Sequence, residues 1–217
     1  MKKMAFLGCL ILFLAPTVFA QEKVETPVWN AGDKWVFTNN GTIEVLSVDQ
    51  NAYVVKFSDD ICVIERQGFN TIIFDKATLQ RIYSLEGEER NKYARGARNM
   101  LNFPLTPGKQ WENAYIARPV ISTLRHLSSL DYYEKFRILG WDDITIKGGK
   151  FKALKMENIR GHKSGGTPWV PSVEGKNLYW YSPDVKYIVK CEYDPAQVRY
   201  YKGEVFNWEL TSFQLKK

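Results

Sequence analysis

Apolar and polar residues alternate with a period of two through most of this chain. Tyr53, Val55 and Phe57 alternate with Val54 and Lys56, and Ile144 and Ile146 with Thr145 and Lys147. Tyr187, Val189, Cys191 and Tyr193 fall on one side of a segment whose other side carries Ile188, Lys190 and Glu192. Alternation of this kind marks antiparallel strands with one buried face. Strands are predicted at Lys34-Phe37, Thr42-Leu46, Tyr53-Phe57, Ile61-Glu65, Thr71-Phe74 and Leu79-Leu85. Others follow at Gln110-Ala117, Val120-Leu127, Tyr132-Leu139, Ile144-Ile146, Phe151-Met156, Leu178-Tyr181 and Lys186-Tyr193, and a last one carries Phe206, Trp208 and Leu210.

Turn residues punctuate these runs. Asn39-Asn40-Gly41 and Gly148-Gly149 suit tight hairpins that need positive φ. Gly140-Trp141-Asp142, Ser128-Asp131 and Ser182-Pro183-Asp184 read as breaks between strands, and Glu22-Pro27 as a polar leader. Turn signals about every ten residues fit a meandering sheet. Glu86-Met100 lacks the alternation. Within it, 89–100 fits a short helix, with Tyr93, Ala97, Met100 and Leu101 on one side; Gly96 weakens that pattern and a loop is the alternative. Gly161-Lys176 is the longest predicted loop. No linker or repeat divides the chain. The expected fold is all-β: one antiparallel, strongly curved sheet or open, incomplete barrel of about twelve strands, with at most one short helix.

The first twenty residues stand apart. Lys2 and Lys3 precede an apolar run from Phe6 to Leu14, and Val18-Phe19-Ala20 ends in a residue suited to signal peptidase, so residues 1–20 read as a secretory signal peptide. The run is too short for a membrane span. It continues past Cys9, so that cysteine belongs to the apolar region rather than to a lipidation site. The predicted mature chain, 21–217, is one β-rich domain. Cleavage would lower the formal charge from +6 to +4, too little to argue for nucleic acid. Export places Cys62 and Cys191 where they either form a disulfide, worth about 4–5 kcal/mol through loop closure, or remain two small buried hydrophobes.

Three separated stretches share a pattern. Phe103-Pro104-Leu105 leads to Gly108 and Trp111. Ile144-Thr145-Ile146-Lys147-Gly148-Gly149-Lys150-Phe151-Lys152-Ala153 forms a hairpin, and Trp180-Tyr181-Ser182-Pro183 ends a strand. The chain from Phe103 to Leu215 thereby resembles the DUF3108-like group of exported bacterial proteins of unknown function. It departs from that pattern at Lys147-Gly148, where Pro-Ala is usual, and at Lys186, where glycine is common. The resemblance implies a periplasmic, antiparallel β fold and no catalytic residues. Each motif residue also has a purely structural reading, as turn or packing residue.

Chemistry is sparse. His126 and His162 have no metal-ligand spacing, and no Cys-x-x-Cys, Gly-x-Ser-x-Gly or phosphate-loop pattern occurs, so no metal or cofactor is expected. Asp59-Asp60 and Asp142-Asp143 are neighbours and point to opposite faces of a strand, which argues against a carboxylate-dependent hydrolase. Arg90, Lys92, Arg95 and Arg98 make a basic stretch that suits anionic lipid or, more simply, a solvated surface. The aromatic crowding of the last fifth is the most unusual feature. Tyr179, Trp180, Tyr181 and Trp208, with Trp169 in the long loop, are candidate ligand-binding residues for an apolar or amphipathic ligand: a lipid, a glycan or an envelope protein. A second covered sheet face is the alternative. Either reading makes the protein a non-enzymatic exported one, a binder or an assembly partner without a cavity.

Overall fold

The structure, a computed structural model, describes residues 22–38, 40–58, 71–84, 99–117, 130–163, 174–194 and 207–217. The predicted signal peptide, residues 89–98 of the predicted helix, Cys62 and Trp169 lie outside the described residues, and residues 99 and 100 are not helical. Eleven strands and no helix occur among those described. They are β1 (Lys34–Phe37), β2 (Thr42–Val48), β3 (Ala52–Phe57), β4 (Thr71–Asp75), β5 (Arg81–Ser84) and β6 (Gln110–Ala117). Then come β7 (Leu130–Ile146), β8 (Gly149–Lys163), β9 (Glu174–Ser182), β10 (Tyr187–Glu192) and β11 (Trp208–Gln214). All belong to one sheet in the order β5-β4-β3-β2-β1-β11-β10-β9-β8-β7-β6. Two antiparallel meanders, β1 to β5 and β6 to β11, join where the last strand pairs with the first.

The sheet is strongly curved and does not close. β4 and β10 lie five strand intervals apart in the sheet order, about 24 Å if the sheet were flat. Yet the indole of Trp29 sits 6.0 Å from Phe74 on β4 and 6.0 Å from Tyr187 on β10. One ring reaches both because the sheet wraps around it. Trp29 also meets Trp35 and Tyr53, at 5.6 and 5.3 Å. The hydrophobic core fills the inner face with Trp35, Phe37, Ile43, Val45, Tyr53, Val55 and Phe57 from the first meander, and with Phe136, Ile138, Met156, Tyr179 and Tyr181 from the second.

Two stretches outside the sheet pack inside it. The leader runs past Val24, which pairs with Leu105 in an isolated antiparallel bridge, to Trp29. The 99–109 stretch contributes Leu101 and Leu105 to the core and lays Phe103 edge-on to Tyr181 at 5.6 Å. Lys109 ties this stretch by donating to the carbonyls of Asn102 and Pro104, and burial pushes its ammonium below the usual lysine range. The leader read from sequence as merely polar is therefore part of the core packing. Val24 and Trp29 are too isolated in sequence to show a period.

Several boundaries differ from expectation. Gly140-Trp141-Asp142 does not end a strand: β7 runs on through it, with a register shift between Ile138 and Gly140. Gly140 sits at φ +144 and absorbs that bulge without side-chain strain. Leu130 and Asp131, expected in a turn, open β7 opposite Ala117 and Ile116. The long loop is shorter than predicted, since β8 extends to Lys163 and β9 begins at Glu174. The hairpin turn is Lys147-Gly148, one residue earlier than Gly148-Gly149, with Ile146 paired to Gly149. Here the N–H of Gly148 donates to the Leu210 carbonyl at 2.8 Å, and a β-carbon would stand 2.8 Å from that same oxygen. That contact gives a physical reason for glycine at this position. The alternation expected along β10 is likewise broken by a register shift, between Ile188 and Lys190.

Candidate functional site

Two neighbouring settings on the inner face share the turn after β9. The first is the aromatic box around Trp29. Its indoles are satisfied by that turn: Trp35 Nε1 donates to the Val185 carbonyl at 2.8 Å, and Trp29 Nε1 to the Lys186 carbonyl at 3.1 Å. Lys186 Nζ returns to the Val28 carbonyl at 2.8 Å. The Lys186 backbone is left-handed, φ +61, a conformation that favours glycine.

The second setting is a cleft of about 310 Å³ between the leader and the sheet. Trp141, Tyr181, Pro183 and Lys186 line it from the sheet side, and Glu22, Lys23, Val24, Glu25 and Pro27 from the leader. The register builds its floor. Trp141 pairs with Leu154, Leu154 with Tyr181, and Tyr181 with Ile188, one row across β7 to β10. The Gly140 bulge sets which β7 residues join that row. Tyr181 is 0% exposed, and desolvation pushes its phenol well above the usual tyrosine range, so it stays protonated. Its hydroxyl and the Trp141 indole nitrogen are buried and have no hydrogen-bond partner among the described residues. At the rim, Lys152 pairs with Glu22 at 2.7 Å and lies 4.8 Å from the centre of the Trp141 ring. The hydrogen bond to Glu22 raises the Lys152 ammonium above the usual lysine range.

The sequence-predicted residues separate in space. Tyr179 and Tyr181 belong to the inner face of β9, and only Tyr181 reaches the cleft. Trp180 lies on the opposite side of the strand and is not an exposed platform. It is 3% exposed, donates to Asp142 Oδ2 at 2.9 Å, and has Lys155 and Lys190 at 5.0 and 4.9 Å from its ring centre. Those lysines are its direct cross-strand partners, so their aliphatic stems cover the indole. Trp208 is buried against Phe37, ring centres 4.7 Å apart. Cys191 is buried opposite Tyr179 and Trp208, and Cys62, its candidate disulfide partner, lies outside the described residues. Trp141 and the leader are the site residues that sequence reasoning missed. Trp141 stood next to the resembling hairpin, and its meeting with Tyr181 depends on a register that spacing does not reveal.

A buried polar row lies further along β6 to β8. Glu134 pairs with Arg160 at 3.4 Å, directly across β7 and β8, and Asn113 is its neighbour on β6. Asn113 Nδ2 and Trp111 Nε1 both donate to the Asn99 carbonyl, at 2.9 and 3.0 Å. This row fixes the 99–109 stretch against β6. Asp142 and Asp143 do not converge: one holds Trp180, and the other is exposed. No group of three or more His, Cys, Asp or Glu side chains placed to hold a metal occurs among the described residues.

No family model matches the chain, and no curated protein matches it. The resemblance to the DUF3108-like group therefore rests on the quoted motifs alone. Solved structures do match. A Bacteroides fragilis protein described as exported and as having a YmcC-like fold superposes with a TM-score of 0.52 at 11% identity, covering 88% of this chain and 99% of that one. A Parabacteroides distasonis protein described as a lipoprotein gives 0.48 at 14% identity over 89% and 100%. The Escherichia coli lipoprotein YmcC gives 0.40 at 9% identity over 87% and 89%. The first of these shows that the chain is similar in fold to a protein of YmcC-like architecture.

Proposed function

We propose that this is a non-catalytic, exported protein of the cell envelope, in the periplasm, that holds an apolar or amphipathic ligand in the cleft between its leader and the inner face of its sheet. The observation that carries this reading is the cleft itself: an opening floored by Trp141 and Tyr181 whose polar groups have no partner within the described protein. Concave sites that are mainly apolar with a few unmet polar groups are the usual form of small-molecule pockets. The signal-peptide pattern supports export, as does the similarity in fold to a protein described as exported.

A second reading, an assembly partner with no ligand, is favoured by one observation. Most of the inner face is filled by the chain's own Trp29, Leu101, Phe103 and Leu105. Native mass spectrometry of the protein taken from its own envelope separates the two. The first reading expects a bound small molecule that is lost when Trp141 and Tyr181 are replaced by alanine. A bare chain that crosslinks to a protein partner overturns it.

A further inference from the structure

Resting on the reading of the cleft as a ligand site, we infer that its ligand presents an acceptor oxygen, of a carboxylate or a phosphate, to the Tyr181 hydroxyl and the Trp141 indole N–H. An indole nitrogen can only donate, and a protonated phenol donates through its one hydrogen. Four buried indoles elsewhere in the sheet and leader have acceptors. Trp29 and Trp35 use the carbonyls of Lys186 and Val185, Trp111 that of Asn99, and Trp180 the carboxylate of Asp142. Trp208 also lacks a partner among the described residues, but it is packed in the core against Phe37 and lines no opening. Trp141 and Tyr181 are thus two residues lining one cleft whose buried donors have no partner among the described residues, and they are joined by the row through Leu154.

The charges around them point the same way. The two leader carboxylates are already engaged, Glu22 with Lys152 and Glu25 with Lys23, both at 2.7 Å. Lys186 adds a third cation at the wall, its Nζ directed to the Val28 carbonyl. Val24, Pro27 and Pro183 supply apolar walls for the ligand's body. A volume near 310 Å³ is at the low end for ligand sites and suits one short amphiphile rather than a many-chained lipid.

The test uses the mature chain, residues 21–217, and three monomeric probes of equal chain length: dodecanoate, dodecyl phosphate and dodecyltrimethylammonium. Calorimetry is expected to show one or both oxyanions bound at least about tenfold tighter than the ammonium. Tyr181→Phe, which keeps the ring, is expected to weaken the oxyanions about tenfold and leave the ammonium unchanged. Trp141→Phe should act in the same direction, and circular dichroism checks that both variants fold. Binding of only one oxyanion assigns the source, carboxylate for a fatty-acid type of ligand and phosphate for a phospholipid type. Equal binding of all three probes, unaffected by Tyr181→Phe, overturns the acceptor inference and leaves the cleft as a ligand site. Binding of none overturns both.

Discussion

The aromatic box and the cleft are built from the same parts and finished differently. Both lie on the inner face, both use the Ser182–Lys186 turn, and both place an indole near a tyrosine. In the box, Trp29 and Trp35 hand their N–H groups to the carbonyls of that turn. The Tyr53 hydroxyl accepts the Trp29 backbone N–H at 3.3 Å. In the cleft, Trp141 and Tyr181 hand theirs to nothing among the described residues. Trp35 and Tyr181 are each 0% exposed, while the Trp141 ring is only partly buried. The settings differ further in polar satisfaction. An unmet buried donor costs stability, so each such group calls for an explanation.

The sharpest way to break this comparison is to remove the box. Trp35→Ala deletes a fully buried indole and its 2.8 Å hydrogen bond, and should cost about 3–5 kcal/mol in urea unfolding. A loss near 1 kcal/mol would mean that the wrapped sheet does not depend on its central rings. Next in size is the hairpin anchor. Gly148→Ala places a methyl 2.8 Å from the Leu210 carbonyl oxygen and breaks the seating of the β7–β8 turn on β11, at about 1–3 kcal/mol. The third prediction changes sign. Tyr181→Phe removes a hydroxyl that makes no hydrogen bond among the described residues, so the ligand-free protein should be as stable as before or gain up to about 1 kcal/mol. A clear loss of stability would show that the hydroxyl is satisfied after all and that the two settings are alike.

Much of the fold was legible in the chain. Period-two runs placed most of the described strands because a strand with one face in the core buries alternate residues, as β2 and β3 do. Glycine pairs located the long hairpin to within one residue. What stayed hidden needed partners distant in sequence. Gly140 reads as a break because a glycine that absorbs a bulge and a glycine that ends a strand look the same. The leader gave no period because only Val24 and Trp29 turn inward. Of the ring-rich β9, the sequence separates Trp180 from Tyr181 by face. It does not show that Asp142 and two lysines close off the first while the second opens on a cleft.

The smallest expected effect sets the other limit of the comparison, a carboxylate in a surface turn whose one oxygen accepts three hydrogen bonds. Asp75 closes the turn between β4 and β5. Its Oδ1 accepts from the Thr78 hydroxyl at 2.7 Å, from the Thr78 N–H at 2.8 Å and from the Ala77 N–H at 3.1 Å. The Thr78 hydroxyl, followed by the Thr78 N–H, holds the carboxyl below its ordinary value of 3.8, against a small opposing desolvation. Because the folded value lies below the unfolded one, this contribution is present above the unfolded value. It is lost as pH falls through the folded one, in the acid range below about pH 4. Thr78→Val should bring the Asp75 titration, followed by NMR, back toward the ordinary aspartate value, with little change in stability at neutral pH because water screens the group. An unmoved titration would assign the depression to the backbone amides. A large loss of stability at neutral pH would undo the distinction drawn here, that a hydrogen bond's weight in this protein follows how deeply its groups are buried.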